Sequence, residues 1–438
     1  MAGRCRWLCI GEEDCGGSET CRDGLCQLVG DAGFLDREAG RDAGRDAGDD
    51  AGRDAGDDAG RDAGDDAGDD AGHDAGGGVP DASFARHSLV TATASSNAIA
   101  GLFQRKSFAA AGRIWVFYRD GSHAVFRSSA DGALWSDPTI LRTVQYSEDL
   151  SVWYRDPYLH YAASDGDNGT ALHYRRGLPS SDGSIAWSAD EQAIGGTDPG
   201  YKSCPMIAVD SSGRPWIGYR WVDGAEKRPR LIRSSSSDGT WSTSGSWELA
   251  SWTAAAWFVE LVPLSDDRMW AGFASGGHFV RAGVVTGDQV SSIDLTEQAI
   301  SVPFSAVGSG DDVHVVFLSA SSLVYARYDT VSKSFSTDVL LSAYDFHGSP
   351  VLGLDTAADR LYCLWSDPVT EEIAYRVHVG GGWEAQDHLL ADESSTGIAD
   401  AALVTAFYRD GLGVVGLFYL TGNETAPQIR FAAIPAGL

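Results

Sequence analysis

Five of the seven cysteines lie in the first 26 residues, at Cys5, Cys9, Cys15, Cys21 and Cys26, with Gly16, Gly17 and Gly24 among them. A segment this short buries no core of its own, so thiols at this density point to disulfides or to a metal. The paired Cys-x-x-Cys spacing and nearby histidine of a zinc site are missing, which favours disulfides and no metal. Five is odd. Either one thiol stays free, or the natural chain starts upstream of Met1 with a sixth cysteine and a signal peptide, since none is visible after Met1. Cys204 and Cys363 stand far apart in apolar strand patterns and read as two buried free thiols.

A second set of residues suits the chemistry of sugars. Aromatic rings stack on sugar rings, and Asp, Asn and Arg bond hydroxyls. Tyr201, Trp221, Trp257, Tyr344 and Trp365 are candidate platforms. The triplet Tyr-Arg-Asp occurs three times, at Tyr118-Arg119-Asp120, Tyr154-Arg155-Asp156 and Tyr408-Arg409-Asp410.

The chain that must position these groups is strongly acidic, with 33 Lys plus Arg against 62 Asp plus Glu and a net charge of -29. Binding a nucleic-acid backbone needs clustered Lys and Arg, so nucleic acid is excluded as a partner, and an anionic membrane surface is disfavoured for the same reason. No run of 18 or more apolar residues is present to span a bilayer. The acidity keeps an exported protein soluble. Residues 31–78 carry 15 Asp and one Glu against five Arg, mostly as Arg-Asp-Ala-Gly or Asp-Asp-Ala-Gly units from Gly40 to Gly76. With no aromatic or β-branched residue and a glycine every fourth position, that stretch reads as a disordered, self-repelling linker. The domain reading is a Cys-rich disulfide segment at 1–30, a linker at 31–81 and a globular domain at 82–438.

The globular part repeats. Strands rich in β-branched and aromatic residues begin near Arg113, Pro157, Arg214, Arg268, Val313, Arg360 and Gly413, a mean spacing of 50 residues. No segment carries a long helical period. Four-stranded units at this period read as blades of an all-β β-propeller. The count is seven, with six or eight left open. The last unit has only three strands, and Ser83–Ala92, with Phe84, Leu89 and Val90, supplies the fourth and closes the ring.

Three units carry a related string between their third and fourth strands: Ser129-Ala130-Asp131-Gly132-Ala133-Leu134-Trp135, Ser181-Asp182-Gly183-Ser184-Ile185-Ala186-Trp187 and Ser236-Ser237-Asp238-Gly239-Thr240-Trp241. The Asp accepts turn N–H bonds, the Gly permits positive φ, and the Trp plugs between sheets. These strings resemble the Asp box, Ser-x-Asp-x-Gly-x-x-Trp. From Ala82 to Leu438 the chain thereby resembles the Asp-box (BNR-repeat) sialidase-like propellers. The Asp-to-Trp separation is four, five and three here, against five in the family.

The resemblance implies that the boxes are structural (Asp131, Trp135, Asp182, Trp187, Asp238, Trp241) and face away from the sugar site. That site is implied on the turns between second and third strands and on the connections between blades. Of the three Tyr-Arg-Asp triplets, only Arg119 and Asp120 fall there; the other two read as turn residues. A sialidase clamps a carboxylate with three arginines and uses an Asp as acid/base and a Tyr nucleophile paired with a Glu. Arg105, in Phe103-Gln104-Arg105-Lys106-Ser107, matches the first arginine without the family's adjoining Ile-Pro. Asp149 falls at the place of the acid/base and Tyr344 at that of the nucleophile, and Arg119 and Arg220 are the remaining arginines. Glu260–Phe273 resembles the glutamate-bearing strand pair but lacks its arginine. The incomplete clamp favours an exported or surface glycan-binding propeller, needing no cofactor, with Arg105, Arg119, Asp120, Arg220, Trp221 and Trp365 as sugar contacts. A sialidase-like hydrolase is the alternative. A polysaccharide lyase is a weaker one, suggested by Leu172-His173-Tyr174-Arg175-Arg176-Gly177 and by His123 and His347, and a protein-binding propeller stays open.

Overall fold

The structure, a computed structural model, describes the backbone of residues 19–22 and 25–28 and most of 87–438. Excluded from the latter are 94, 96–97, 100, 102–103, 167–168, 196–199, 225, 250–257, 275–279, 295–300, 320–321, 333, 343–349, 368–371, 393–403, 407–412, 422–426 and 436–438. Glu19–Arg22 and Leu25–Leu28 pair as a two-stranded sheet. Cys5, Cys9 and Cys15 lie outside the described residues, and only the backbone of Cys21 and Cys26 is described.

Seven antiparallel sheets follow, one per blade. Blade 1 comprises Ser107–Ala110, Arg113–Arg119, His123–Ser129 and Thr139–Thr143. In blade 2 the strands are Leu150–Arg155, Tyr158–Ser164 and Leu172–Pro179, with Ile185–Trp187 and Gln192–Ile194 sharing the outer position. Blade 3 runs Tyr201–Val209, Pro215–Asp223, Glu226–Ser234, Trp241–Glu248, and blade 4 runs Val259–Pro263, Met269–Ala274, Val280–Thr286, Gln289–Asp294. Blade 5 holds Ser301–Ser309, Asp312–Ser319, Ser322–Asp329 and Ser334–Ser342. Blade 6 holds Val351–Asp355, Arg360–Asp367 and Glu372–Val379, with Gly382–Trp383 and His388–Asp392 outermost. In blade 7, Val404–Ala406, Val414–Thr421 and Gln428–Pro435 are completed by His87–Ala92, so the N-terminal strand closes the ring as its spacing suggests.

The second strands are near-continuous apolar runs, not alternating ones. Ile114 to Phe117 are all fully buried, because each blade is covered on both faces by its neighbours. The core is accordingly seven clusters, one at each seam. Ile114, Val116 and Tyr118 meet Val414, Phe418 and Phe431 between blades 1 and 7, and Val313, Val315 and Phe317 meet Val262 and Trp270 between blades 4 and 5.

Antiparallel winding puts the turns after first and third strands on one face of the ring. The turns after second strands and the connections between blades fall on the other. The three Asp strings occupy the first face. Asp131 Oδ1 accepts from the Ala133 and Leu134 amides at 2.8 and 2.9 Å, and these bonds hold its carboxyl below the usual range. Asp182 accepts from the Ser184 amide and hydroxyl, and Asp238 from the Ser236 hydroxyl. Gly132, Gly183 and Gly239 stand at φ of 70°, 92° and 96°, as such turns require. Each Trp packs on the preceding seam: Trp135 edge-on to Phe418 and Phe431, Trp187 to Tyr161, Trp241 to Tyr174.

One cysteine expectation is overturned. Cys363 is a buried free thiol, but Cys204 is disulfide-bonded. Strand pattern alone cannot separate a buried thiol from a buried half-cystine, since both are small and apolar. Among the described residues no helix is long and apolar enough to cross a membrane.

Candidate functional site

The inner strands of a propeller converge on its axis, and their polar side chains have no room to reach water. Residues 104–107, which lead into blade 1, act as a hub there. Gln104 Nε2 donates to the carbonyls of Glu148, at 2.6 Å, and of Pro205 in blade 3, at 2.7 Å. Lys106 Nζ donates to Gln104 Oε1 at 2.9 Å and to the Leu150 carbonyl at 2.7 Å. Arg105 reaches across to the Leu261 carbonyl of blade 4 at 2.9 Å and lies 3.8 Å over the ring of Trp153. Burial pulls Lys106 down to about 7 against the opposing charges of Glu148 and Asp149. Further side chains tie successive inner strands together. Ser151 Oγ accepts from the Ile207 amide, Glu260 Oε1 from the Ala306 amide and Ser305 Oγ from the Leu352 amide.

The sequence-derived candidates take their places around this hub. Asp149 is 1% exposed, with Oδ1 accepting from Ser164 Oγ at 2.8 Å and Oδ2 from the Tyr146 amide at 2.9 Å. Arg220 is buried, its Nε donating to Ser203 Oγ at 3.0 Å. Arg119 donates to Ser95 Oγ at 3.4 Å, and Asp120 caps its turn by accepting from the Ser122 and His123 amides. The three arginines are thus bonded in different parts of the ring. Trp221 and Trp365, expected as open stacking faces, are 6% and 2% exposed and belong to seam clusters; Trp221 is also covered by the Arg230 guanidinium at 4.2 Å. Two-sided blade packing explains this, because a second-strand ring points into a seam. Tyr344, Trp257 and His347 lie outside the described residues. In the lyase-like string, Tyr174 pairs with His160 Nδ1 at 2.8 Å, and burial pushes that imidazole down to about 3, so the pair is a neutral core contact.

Open space lies on the face that carries the three Asp strings, not on the one where the resemblance implies a sugar site. A cavity of about 820 Å3 opens between the first-to-second-strand turns of blades 1 to 5. Its depth is Arg105 and Trp153. Phe108 and Tyr154 form an aromatic wall, stacked at 5.2 Å and 8°. Arg155 and Asp156 stand at the rim with Ser211 and Ser265. The Tyr154 hydroxyl donates to Asp156 Oδ1 at 2.8 Å, and Arg155 Nη2 donates to the Ser211 carbonyl at 2.6 Å. The second Tyr-Arg-Asp triplet, read from sequence as a turn, therefore borders a pocket. The available signal was the strand Leu150–Arg155, which turns aromatic and then charged toward the end that must reach the channel mouth. On the opposite face, a smaller pocket of about 420 Å3 is lined by Arg142, Gln145, Asp165 and Glu191.

No protein-family model matches the chain, and no curated protein matches it. Solved structures do. The polysaccharide lyase Uly1 superposes with a TM-score of 0.50 at 10% identity, over 78% of this chain and 92% of that one. The WD40 domain of Toxoplasma gondii coronin gives 0.49 at 11% identity, over 80% and 85%. The Aleuria aurantia lectin, in complex with alpha-methyl-L-fucoside, gives 0.42 at 13% identity, over 64% and 92%. At these identities the likeness is one of fold: the chain is a seven-bladed β-propeller.

Proposed function

We propose that residues 82–438 are a glycan-recognising propeller of the Asp-box type, carried on an exported or surface protein behind the linker at 31–81. The carrying observation is the channel-mouth cavity. Its volume lies within the several hundred Å3 usual for small-ligand sites, and it joins an aromatic wall to a few polar groups. Phe108, Trp153 and Tyr154 offer ring faces, while Arg155, Asp156 and the serines offer the hydrogen bonds that orient hydroxyls. That a polysaccharide lyase shares the fold is compatible with a sugar ligand, though fold alone selects none. Hydrolysis is the weaker reading, because Asp149 is buried with both oxygens accepting bonds, whereas an acid/base must reach its substrate.

A glycan array on the parent and on Tyr154→Ala and Arg155→Ala tests this. Retention of at least one glycan by the parent is expected, weakened about tenfold or ~1.4 kcal/mol by each substitution. A fluorogenic sialoside assay on the parent, Asp149→Asn and Tyr344→Phe forms the second arm and should show no turnover. Binding untouched by both rim substitutions would remove the cavity from the proposal, and turnover abolished by Asp149→Asn would replace recognition with hydrolysis.

A further inference from the structure

Cys204 sits where the inner strand of blade 3 breaks register between Ser203 and Met206, and its φ of 55° is a left-handed value that side-chain-bearing residues seldom adopt. It is 1% exposed, within the cluster that contains Phe258 and Phe304. It is also disulfide-bonded. The chain has seven cysteines, and Cys363, the other one in the propeller, is free and buried in the seam between blades 5 and 6. The partner of Cys204 must then come from Cys5, Cys9, Cys15, Cys21 and Cys26.

We infer that Cys204 anchors the N-terminal cysteine segment covalently to blade 3. The five N-terminal thiols and Cys204 then make an even set. The linker between the segment and the propeller becomes a closed loop, held at both ends, rather than a free tether. Forming the bond takes two thiols to one disulfide, with two protons and two electrons passing to a disulfide donor that leaves as a dithiol. Such a donor acts in an oxidising compartment, where the bond would persist.

The test uses the full chain, secreted by its producing host and alkylated before work-up. Limited trypsin cuts at the linker arginines, among them Arg41, Arg45, Arg53 and Arg61. Without reductant, the N-terminal fragment should remain with the propeller fragment on a denaturing gel; with reductant, it should separate completely. Cys204→Ser should release it without reductant, and Cys363→Ser should leave the parent pattern unchanged. Should Cys204→Ser fail to fold, peptide mass mapping of the unreduced parent decides: a Cys204 peptide joined to an N-terminal cysteine peptide sustains the anchor. Release from the parent without reductant, or an alkylated Cys204, overturns it.

Discussion

Lys106 shows what it costs to place a charge on the axis of a propeller. The residue is 1% exposed, and with Gln104 Oε1 and the Leu150 carbonyl among its acceptors burial still dominates over the attraction of Glu148 and Asp149. With a folded pKa near 7 against 10.5, the unfolded chain binds the extra proton between those values. Stability must then rise with pH across that window and level off below pH 7. Lys106→Met removes this group, so the parent should gain on the variant by about 1–3 kcal/mol between pH 7.5 and 9.5, at ~1.4 kcal/mol per unit of pKa difference. Denaturant unfolding at the two pH values measures it, and parallel curves would mean that the amine stays charged in the fold. This burial was not legible in the sequence. Gln104-Arg105-Lys106 reads as a polar connection, and only the convergence of inner strands turns it into a hub. Trp221 and Trp365 show the converse, since a tryptophan suited to a sugar platform and one suited to a seam have the same sequence signature.

At the scale of elements, sequence was more informative where periodicity and packing coincide. The seven second strands begin at or within two residues of the expected positions, because two-sided burial makes each a run such as Arg113–Arg119 or Val414–Thr421 that stands out from its turns. Contacts between strands were not legible, and the junction of blades 1 and 2 is an example. Arg142, on the outer strand of blade 1, bonds both Asp165 and Glu191 of blade 2 at 3.0 Å. His173 lies between the same carboxylates, 2.8 Å from Asp165 and 3.3 Å from Glu191, and the Tyr161 hydroxyl donates to Glu191. Burial pushes Glu191 up, but His173, Tyr161 and Arg142 outweigh it and hold the carboxyl at about 2. Glu191, and then Asp165, raise His173 despite its partial burial and the repulsion of Arg142. A base whose folded pKa is raised contributes fully below its unfolded value and loses that contribution as pH rises through the folded one. The seam should thus weaken above neutral pH, by roughly 0.5–1 kcal/mol after allowance for solvent screening. In His173→Gln that pH-dependent part should vanish, which thermal melts from pH 5.5 to 8.5 would reveal as a flatter difference from the parent.

For the whole molecule, the deciding feature is that a strand from the start of the domain completes the last blade. His87–Ala92 pairs with Gln428–Pro435 from His87 opposite Ala432 to Ala92 opposite Gln428. The same strand also binds blade 1: Ser88 Oγ donates to the Gly132 carbonyl and accepts from Trp135 Nε1 at 3.0 Å, and Val90 is buried in the seam between blades 7 and 1. Removing it exposes the edge of Gln428–Pro435, unseats Trp135 and uncovers Val90. Burial of Val90 alone is worth ~1.5–3 kcal/mol, and each lost ladder or side-chain hydrogen bond adds about 0.5–1.5 kcal/mol. Deleting residues 83–92 should therefore cost at least ~4 kcal/mol, comparable to the whole margin of many domains. The freed edge is moreover a template for pairing with another chain. The expected result is a markedly lower melting temperature with aggregation that grows with protein concentration, followed by differential scanning calorimetry and light scattering. Val90→Asp, which leaves the strand in place but charges its seam face, should lower the melting temperature without the aggregation. A deletion variant that melts like the parent and stays monodisperse would mean that the ring holds its shape with blade 7 left at three strands.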